Sequence, residues 1–259
     1  MGIWERLKNW RNSAGPKAPP IREELWAWAI KEHPIFRGLG EPDSLRLRNL
    51  AAAFLAAKRF IPVGGAAAEE ETKVSVAAQA CLPLLGLDLG WYRDFSTIYL
   101  TPKAYPVTQK IELEGGVVQE YEDEFAGEAF SLGPVALSIP DIEASGWGEG
   151  YNVVIHEMAH KLDGLDGACD GCPPLHRGMD QDAWTRDFSQ AFQDLKGKSA
   201  RGKRKRSPID AYGAESPDEF FAVACEYFWE TPRVLAEEYP QVYAHLSLFF
   251  RRDPRTFRT

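Results

Sequence analysis

Apolar and polar residues alternate along the chain with changing period. Over residues 21–32 and 43–57 the spacing is helical, and Leu45, Leu50, Phe54 and Leu55 supply an apolar stripe on the second stretch. Ahead of them Trp4, Leu7 and Trp10 stand at helical spacing among charges, which predicts a short amphipathic helix packed on the body rather than a membrane-surface anchor. A linker over 13–20 follows it. Pro62, Gly64 and Gly65 before a run of glutamates predict a turn and a helix start over 61–71. Residues 73–85 are nearly all apolar and predict a buried helix, with Cys81 as a small core residue.

From residue 91 the texture changes. The segments 95–102, 109–124 and 133–142 are short, β-branched or alternating, and bounded by Gly and Pro, as strands and hairpins are. Helical spacing returns near 151–163, 182–195, 216–229, 232–238 and 239–250, with a Gly-, Asp- and Pro-rich loop over 164–180. Helices, a few strands, then helices again make an α+β protein, mostly helical with a small mixed sheet. We expect one domain over 1–259, with a helical part over 1–90 and the core over 91–254.

Composition narrows the choices. The 259 residues are 44% hydrophobic and 26% charged, as in a globular protein with a sizeable core. A net charge of -8 argues against bulk nucleic-acid binding. No apolar run reaches the length of a membrane span, and the N-terminus lacks the apolar stretch of a secretory signal. Four cysteines in so long a chain are no disulfide framework, and a cytoplasmic location follows as the expectation. A basic run over 201–206 interrupts the acidic chain. It reads as a solvated loop, or as a patch for nucleic acid or a partner, and retention on heparin at low salt separates the two.

The chemistry is concentrated in one segment. His156-Glu157-x-x-His160 places two imidazoles four residues apart, on one face of a helix, where both can bind a single Zn²⁺. Glu157 then lies beside the position of a zinc-activated water, whose proton a carboxylate can take. With 5 His and 38 acidic residues, roughly 0.014 such spacings are expected by chance. Val153, Val154 and Ile155 bury the start of this helix, so its polar residues need partners.

A catalytic zinc takes a third protein ligand. The close downstream histidine of metzincins is absent, since Asp166 holds that place. The remaining source is the helix over 216–229. Ser216 reads as its cap, Pro217 as its first turn, and Glu219 and Glu226 share a face among Phe220, Phe221, Val223 and Phe228. Glu219 could bind the metal while Glu226 supports a ligand histidine, or both could be solvated. Cys169 and Cys172 form a C-x-x-C in the following loop. They read as idle thiols, as half of a second metal site with only His176 nearby, or as a redox clasp.

Several stretches together resemble the MtfA family of zinc metallopeptidases, named for titration of the glucose-responsive repressor Mlc. They are GEAFSLGPVALS (127–138), NVVIHEMAHKLDGLDG (152–167), DAYGAESPDEFFAVACEYFWE (210–230) and YPQVYAHLSLFFRRDP (239–254). The resemblance implies a gluzincin-like core with His156, His160 and Glu219 as ligands of one zinc per chain and Glu157 as general base. It further implies Tyr212 as the phenol that donates to the oxyanion, a role with a large effect on rate. GPVALS would border the cleft and pair its free edge with an extended peptide. Asp163 would stand behind the ligands or at the helix end. The implied activity is peptide-bond hydrolysis, aminopeptidase-like on small substrates, with a peptide or protein substrate and an Mlc-like repressor as partners. The competing reading is a repressor-sequestering binding protein with a structural zinc. Glu157 speaks for the enzyme, because a structural site has no use for a base beside its ligands.

Overall fold

The computed structural model describes residues 18–103, 111–113, 117–119, 133–200 and 207–257. The amphipathic stretch around Trp4, Leu7 and Trp10, the basic run 201–206 and the start of the 127–138 segment lie outside them.

The N-terminal part is helical, as expected. Helices α1 (Glu23–Glu32) and α2 (Glu41–Ala57) pack around α3 (Glu70–Cys81), whose residues from Val74 to Cys81 are all buried. The apolar run 73–85 is not one helix. Its last residues form a tighter 3₁₀ turn over Leu82–Gly86, because Pro83 has no N–H to continue the α-helical ladder.

Strand β1 (Arg59–Pro62) occupies the start of the predicted turn. It pairs with β2 (Thr97–Thr101), and β2 pairs with β5 (Val135–Ser138), both in parallel, in the order β1-β2-β5. Between them β3 (Ile111–Leu113) and β4 (Val117–Gln119) make a separate antiparallel pair. The predicted mixed sheet is therefore two units, one wholly parallel and one a hairpin. The third predicted strand also ends early. Ser138 accepts the N–H of Asp141 at 3.2 Å and Pro140 sets the first turn, so 139–144 turn into helix α4 (Ile139–Ala144).

Helix α5 (Val153–Asp163) carries the histidine motif. Its cap is Asn152, whose Oδ1 accepts the Ile155 N–H at 2.9 Å, and Val154, Ile155, Met158, Ala159 and Leu162 bury one face. Helix α6 (Gln181–Ala200) follows the loop. Helix α7 (Pro217–Glu230) is buried at every position from Phe220 to Glu230, so it runs through the core. Pro232 ends it and opens α8 (Pro232–Glu238), and Pro240 ends that and opens α9 (Pro240–Phe250). Ser216 sits at the α7 cap position, but its side chain makes no capping hydrogen bond. Helices α3, α5 and α7 stack in succession, which sets the first of them against the helix that bears the histidines. Among the described residues no helix is long and apolar enough to cross a membrane.

Candidate metal centre

Two packed helices bring the predicted residues together. His156 and His160 lie one turn apart on α5, with their Nε2 atoms 3.1 Å from each other. Glu219 reaches across from the first turn of α7, its Oε2 3.0 Å from His156 Nε2 and 3.6 Å from His160 Nε2. Three ligands held at 2.0–2.1 Å by a tetrahedral ion lie about 3.3 Å from one another. The three separations bracket that value. Glu219 Oε2 is also buried from water without an aligned hydrogen bond, although two imidazoles stand beside it. A carboxylate oxygen so placed fits an ion between the rings better than a proton shared with either. Among the described residues His156, His160 and Glu219 are the one group of three or more potential ligands whose donor atoms converge this closely.

Charge and burial act in opposition at these groups. Burial alone would lower the basicity of His156, but its contacts with Glu219 and Glu226 outweigh that and push its pKa up to about 10. Burial would raise Glu219, yet the two histidines hold it well below the ordinary carboxylate range. Glu226 is more enclosed, and burial leaves its carboxyl above the usual range despite the hydrogen bond from His156.

The other predicted residues surround this centre. Glu157 is half-buried beside His156, and its charge reaches both His156 and Tyr212. Tyr212 is 43% exposed in a short turn over Ala211–Ala214, set by Asp210 accepting its N–H at 2.9 Å. Its ring centroid lies 5.8 Å from that of His156. Burial and then the Glu219 charge raise its phenol above the ordinary value, so the O–H stays a donor at neutral pH. Glu226 Oε1 lies 2.8 Å from His156 Nδ1, which leaves Nε2 to face Glu219.

The remaining candidates fall elsewhere. Asp163 is fully buried at the end of α5, accepts the Gly171 N–H at 2.9 Å, and its charge reaches His160. His176 bonds to the Phe249 carbonyl at 2.8 Å and stacks on the Phe249 ring, and so belongs to the core. Cys169 and Cys172 are free thiols, and burial raises both to about 11. His245 pairs with Asp187 at 2.8 Å, away from the centre.

Three residues at the back of the centre were not singled out by the sequence. Asn152 donates its backbone N–H to Glu226 Oε2 at 2.5 Å, and its side chain donates to Gln79 Oε1 at 2.8 Å and to Glu230 Oε1 at 2.7 Å. A helix-cap signal at Asn152 was available, since Asn directly precedes the apolar start of α5. Gln79 and Glu230 carried no local signal.

Comparison with known proteins agrees with this geometry. Residues 7–251 match the family described as glucose-regulated metallo-peptidase M90. A protein of Edwardsiella ictaluri named Mlc titration factor A is 34% identical over 241 residues, covering 91% of each chain. Its namesake in Yersinia pestis is 32% identical over 237 residues, covering 91% of this chain and 87% of the relative, as is that of Yersinia pseudotuberculosis. A histidine pair and a glutamate converging on one point, in a chain matched by these Mlc titration factors A over 91% of its length, make this protein a member of the M90 metallopeptidase family.

Proposed function

We propose that the protein is a zinc-dependent metallopeptidase that hydrolyses peptide bonds, aminopeptidase-like on small substrates. The observation that carries this reading is the convergence of His156 Nε2, His160 Nε2 and Glu219 Oε2 next to the carboxylate of Glu157 and the phenol of Tyr212. His156, His160 and Glu219 would hold one Zn²⁺. When bound there, the ion supplies positive charge that polarises a scissile carbonyl and acidifies water. Glu157 takes a proton from the attacking water and passes it to the departing amine nitrogen. Tyr212 donates a hydrogen bond to the carbonyl oxygen as negative charge gathers on it. Glu226 accepts the proton side of the His156 ring and so keeps its lone pair turned toward Glu219. We further propose a transcriptional repressor of the Mlc type as a partner, and a cytoplasmic setting; the relatives' name, Mlc titration factor A, supports the partner.

The test is hydrolysis of a panel of short aminoacyl and peptide substrates by zinc-loaded wild type and zinc-loaded Glu157→Gln. We expect wild-type turnover that falls at least about a hundredfold in the variant. Equal turnover by both proteins would remove Glu157 as the base. No turnover by either, with zinc stoichiometric in both, would favour the repressor-binding reading with a structural metal.

A further inference from the structure

The hydrogen bonds behind His156 do not stop at Glu226. They continue through Asn152 to Gln79 on α3. Gln79 Nε2 donates to Ser75 Oγ at 3.0 Å, and Ser75 Oγ lies 2.9 Å from His33 Nε2 at the end of α1. Every residue in this chain from Glu226 to His33 is buried, and Gln79 and Asn152 are fully so. The partners are far apart in sequence: Gln79 and Asn152 are separated by 73 residues, and Asn152 and Glu226 by 74.

The order of donors and acceptors is fixed from one end. The Ile155 N–H can only donate, so Asn152 must present Oδ1 to it and turn Nδ2 away. Nδ2 can only donate, so Gln79 must present Oε1 to it. Gln79 Nε2 then donates to Ser75 Oγ, and the His33 tautomer sets the direction of the last bond. Every polar group of Asn152 is engaged: both Nδ2 protons, Oδ1, the N–H, and the carbonyl, which accepts the His156 N–H at 2.9 Å. From Glu226 through Asn152 to Gln79 the buried groups hold one another in one arrangement, because a rotation there leaves a buried donor or acceptor unpaired.

We propose that Gln79 is a positioning residue for the metal centre: through Asn152 and Glu226 it fixes the ring of His156, so that α3 helps set the geometry of metal ligation. The inference rests on the reading of His156, His160 and Glu219 as the metal ligands. It assigns to the N-terminal helices, which the histidine motif leaves without a role, an indirect part in placing His156.

The experiment measures Zn²⁺ affinity by competition with a chromophoric chelator, on the full chain. Partners one step beyond the ligands typically change metal affinity by 10–100-fold, and Gln79 lies further back, so Gln79→Met should weaken Zn²⁺ binding by about tenfold. Ser75→Ala, a milder change one link further out, should weaken it by about threefold. Val76→Ala, a buried α3 neighbour outside the chain of bonds, controls for lost packing and should leave affinity unaltered. The decisive readout is the same pair of substitutions in a Glu226→Gln background. If Gln79 acts through Glu226, its substitution there changes affinity by less than about twofold, whereas a purely structural effect would persist undiminished. Wild-type affinity in both Gln79→Met and Ser75→Ala overturns the inference, and so does an equal loss with and without Glu226. Should Gln79→Met not fold, Ser75→Ala in the two backgrounds decides alone. Failure of the wild type itself to bind Zn²⁺ would instead overturn the ligand assignment, a different result from either of these.

Discussion

Replacing Gly171 by alanine should loosen the helix that carries Glu219. Gly171 has φ +82, and a Cβ built on it would lie 2.6 Å from the carbonyl oxygen of Pro217, the first residue of α7. Left-handed backbone costs a non-glycine residue about 1–2 kcal/mol. The overlap is additional: the Pro217 carbonyl must retreat by about 0.8 Å to reach ordinary contact, and such overpacking costs about 1–3 kcal/mol. The loop cannot yield instead without stretching two bonds, Gly171 N–H to Asp163 at 2.9 Å and Trp184 Nε1–H to the Gly171 carbonyl at 3.0 Å. Gly167 provides the control. It has φ +98 but open space where its Cβ would go, so Gly167→Ala incurs the backbone cost alone. Urea unfolding of the two variants should differ by about 1–3 kcal/mol at unchanged slope, with Gly171→Ala the less stable. Zn²⁺ affinity should fall in Gly171→Ala and hold in Gly167→Ala, because Glu219 lies two residues beyond the displaced carbonyl. Equal stabilities would mean that the loop does not clamp α7, and the reasoning would fail.

Two further outcomes follow from the buried groups. Burial, with Asp170 and Asp218 nearby, pushes the Asp163 carboxyl up to about 7 from its ordinary 3.8 against the opposing Gly171 N–H. Between those values the folded chain keeps a proton that the unfolded chain has released, so stability is greatest below the window and declines as pH rises through it. Asp163→Asn should flatten that decline between pH 5 and pH 8 in urea titrations, and an undiminished decline would remove Asp163 as its source. Zn²⁺ at a hundred times its Kd should raise the unfolding free energy of the metal-free protein by about 2.7 kcal/mol, an increment reversed by chelation and absent in His160→Ala. Retention of the increment in that variant would take His160 out of the ligand set.

The converging side chains and Glu226 behind them were legible in the sequence, and the bonds further back were not, for physical reasons. The histidine pair declares itself because helical spacing alone places both rings on one face, and Glu219 and Glu226 are found because the core helix that carries them is apolar all round. Tyr212 needed the resemblance, since its position depends on the turn capped by Asp210 rather than on any period. Gln79 is one polar residue in an alanine-rich buried helix, and only the fold reveals that it meets Asn152. The sheet was misread in a similar way. Four residues ending in Pro62, with an exposed–intermediate–intermediate–exposed pattern, are too few and too irregular to show alternation, yet the backbone of β1 finds its ladder on β2.

The bond from Asn152 to Glu226 also says when, during synthesis, the centre can exist. A nascent chain that has just released α5 exposes the amide of Asn152 and the rings of His156 and His160 with none of their acidic partners yet made. Glu219 and Glu226 follow about 60–70 residues later, which at 5–20 residues per second is a delay of roughly 3–14 s. During that interval the motif helix has its earlier neighbour, Gln79, and lacks its later ones. A ribosome-bound chain thus lacks Glu219, the third of the converging side chains, and Glu226 behind His156 until α7 has emerged.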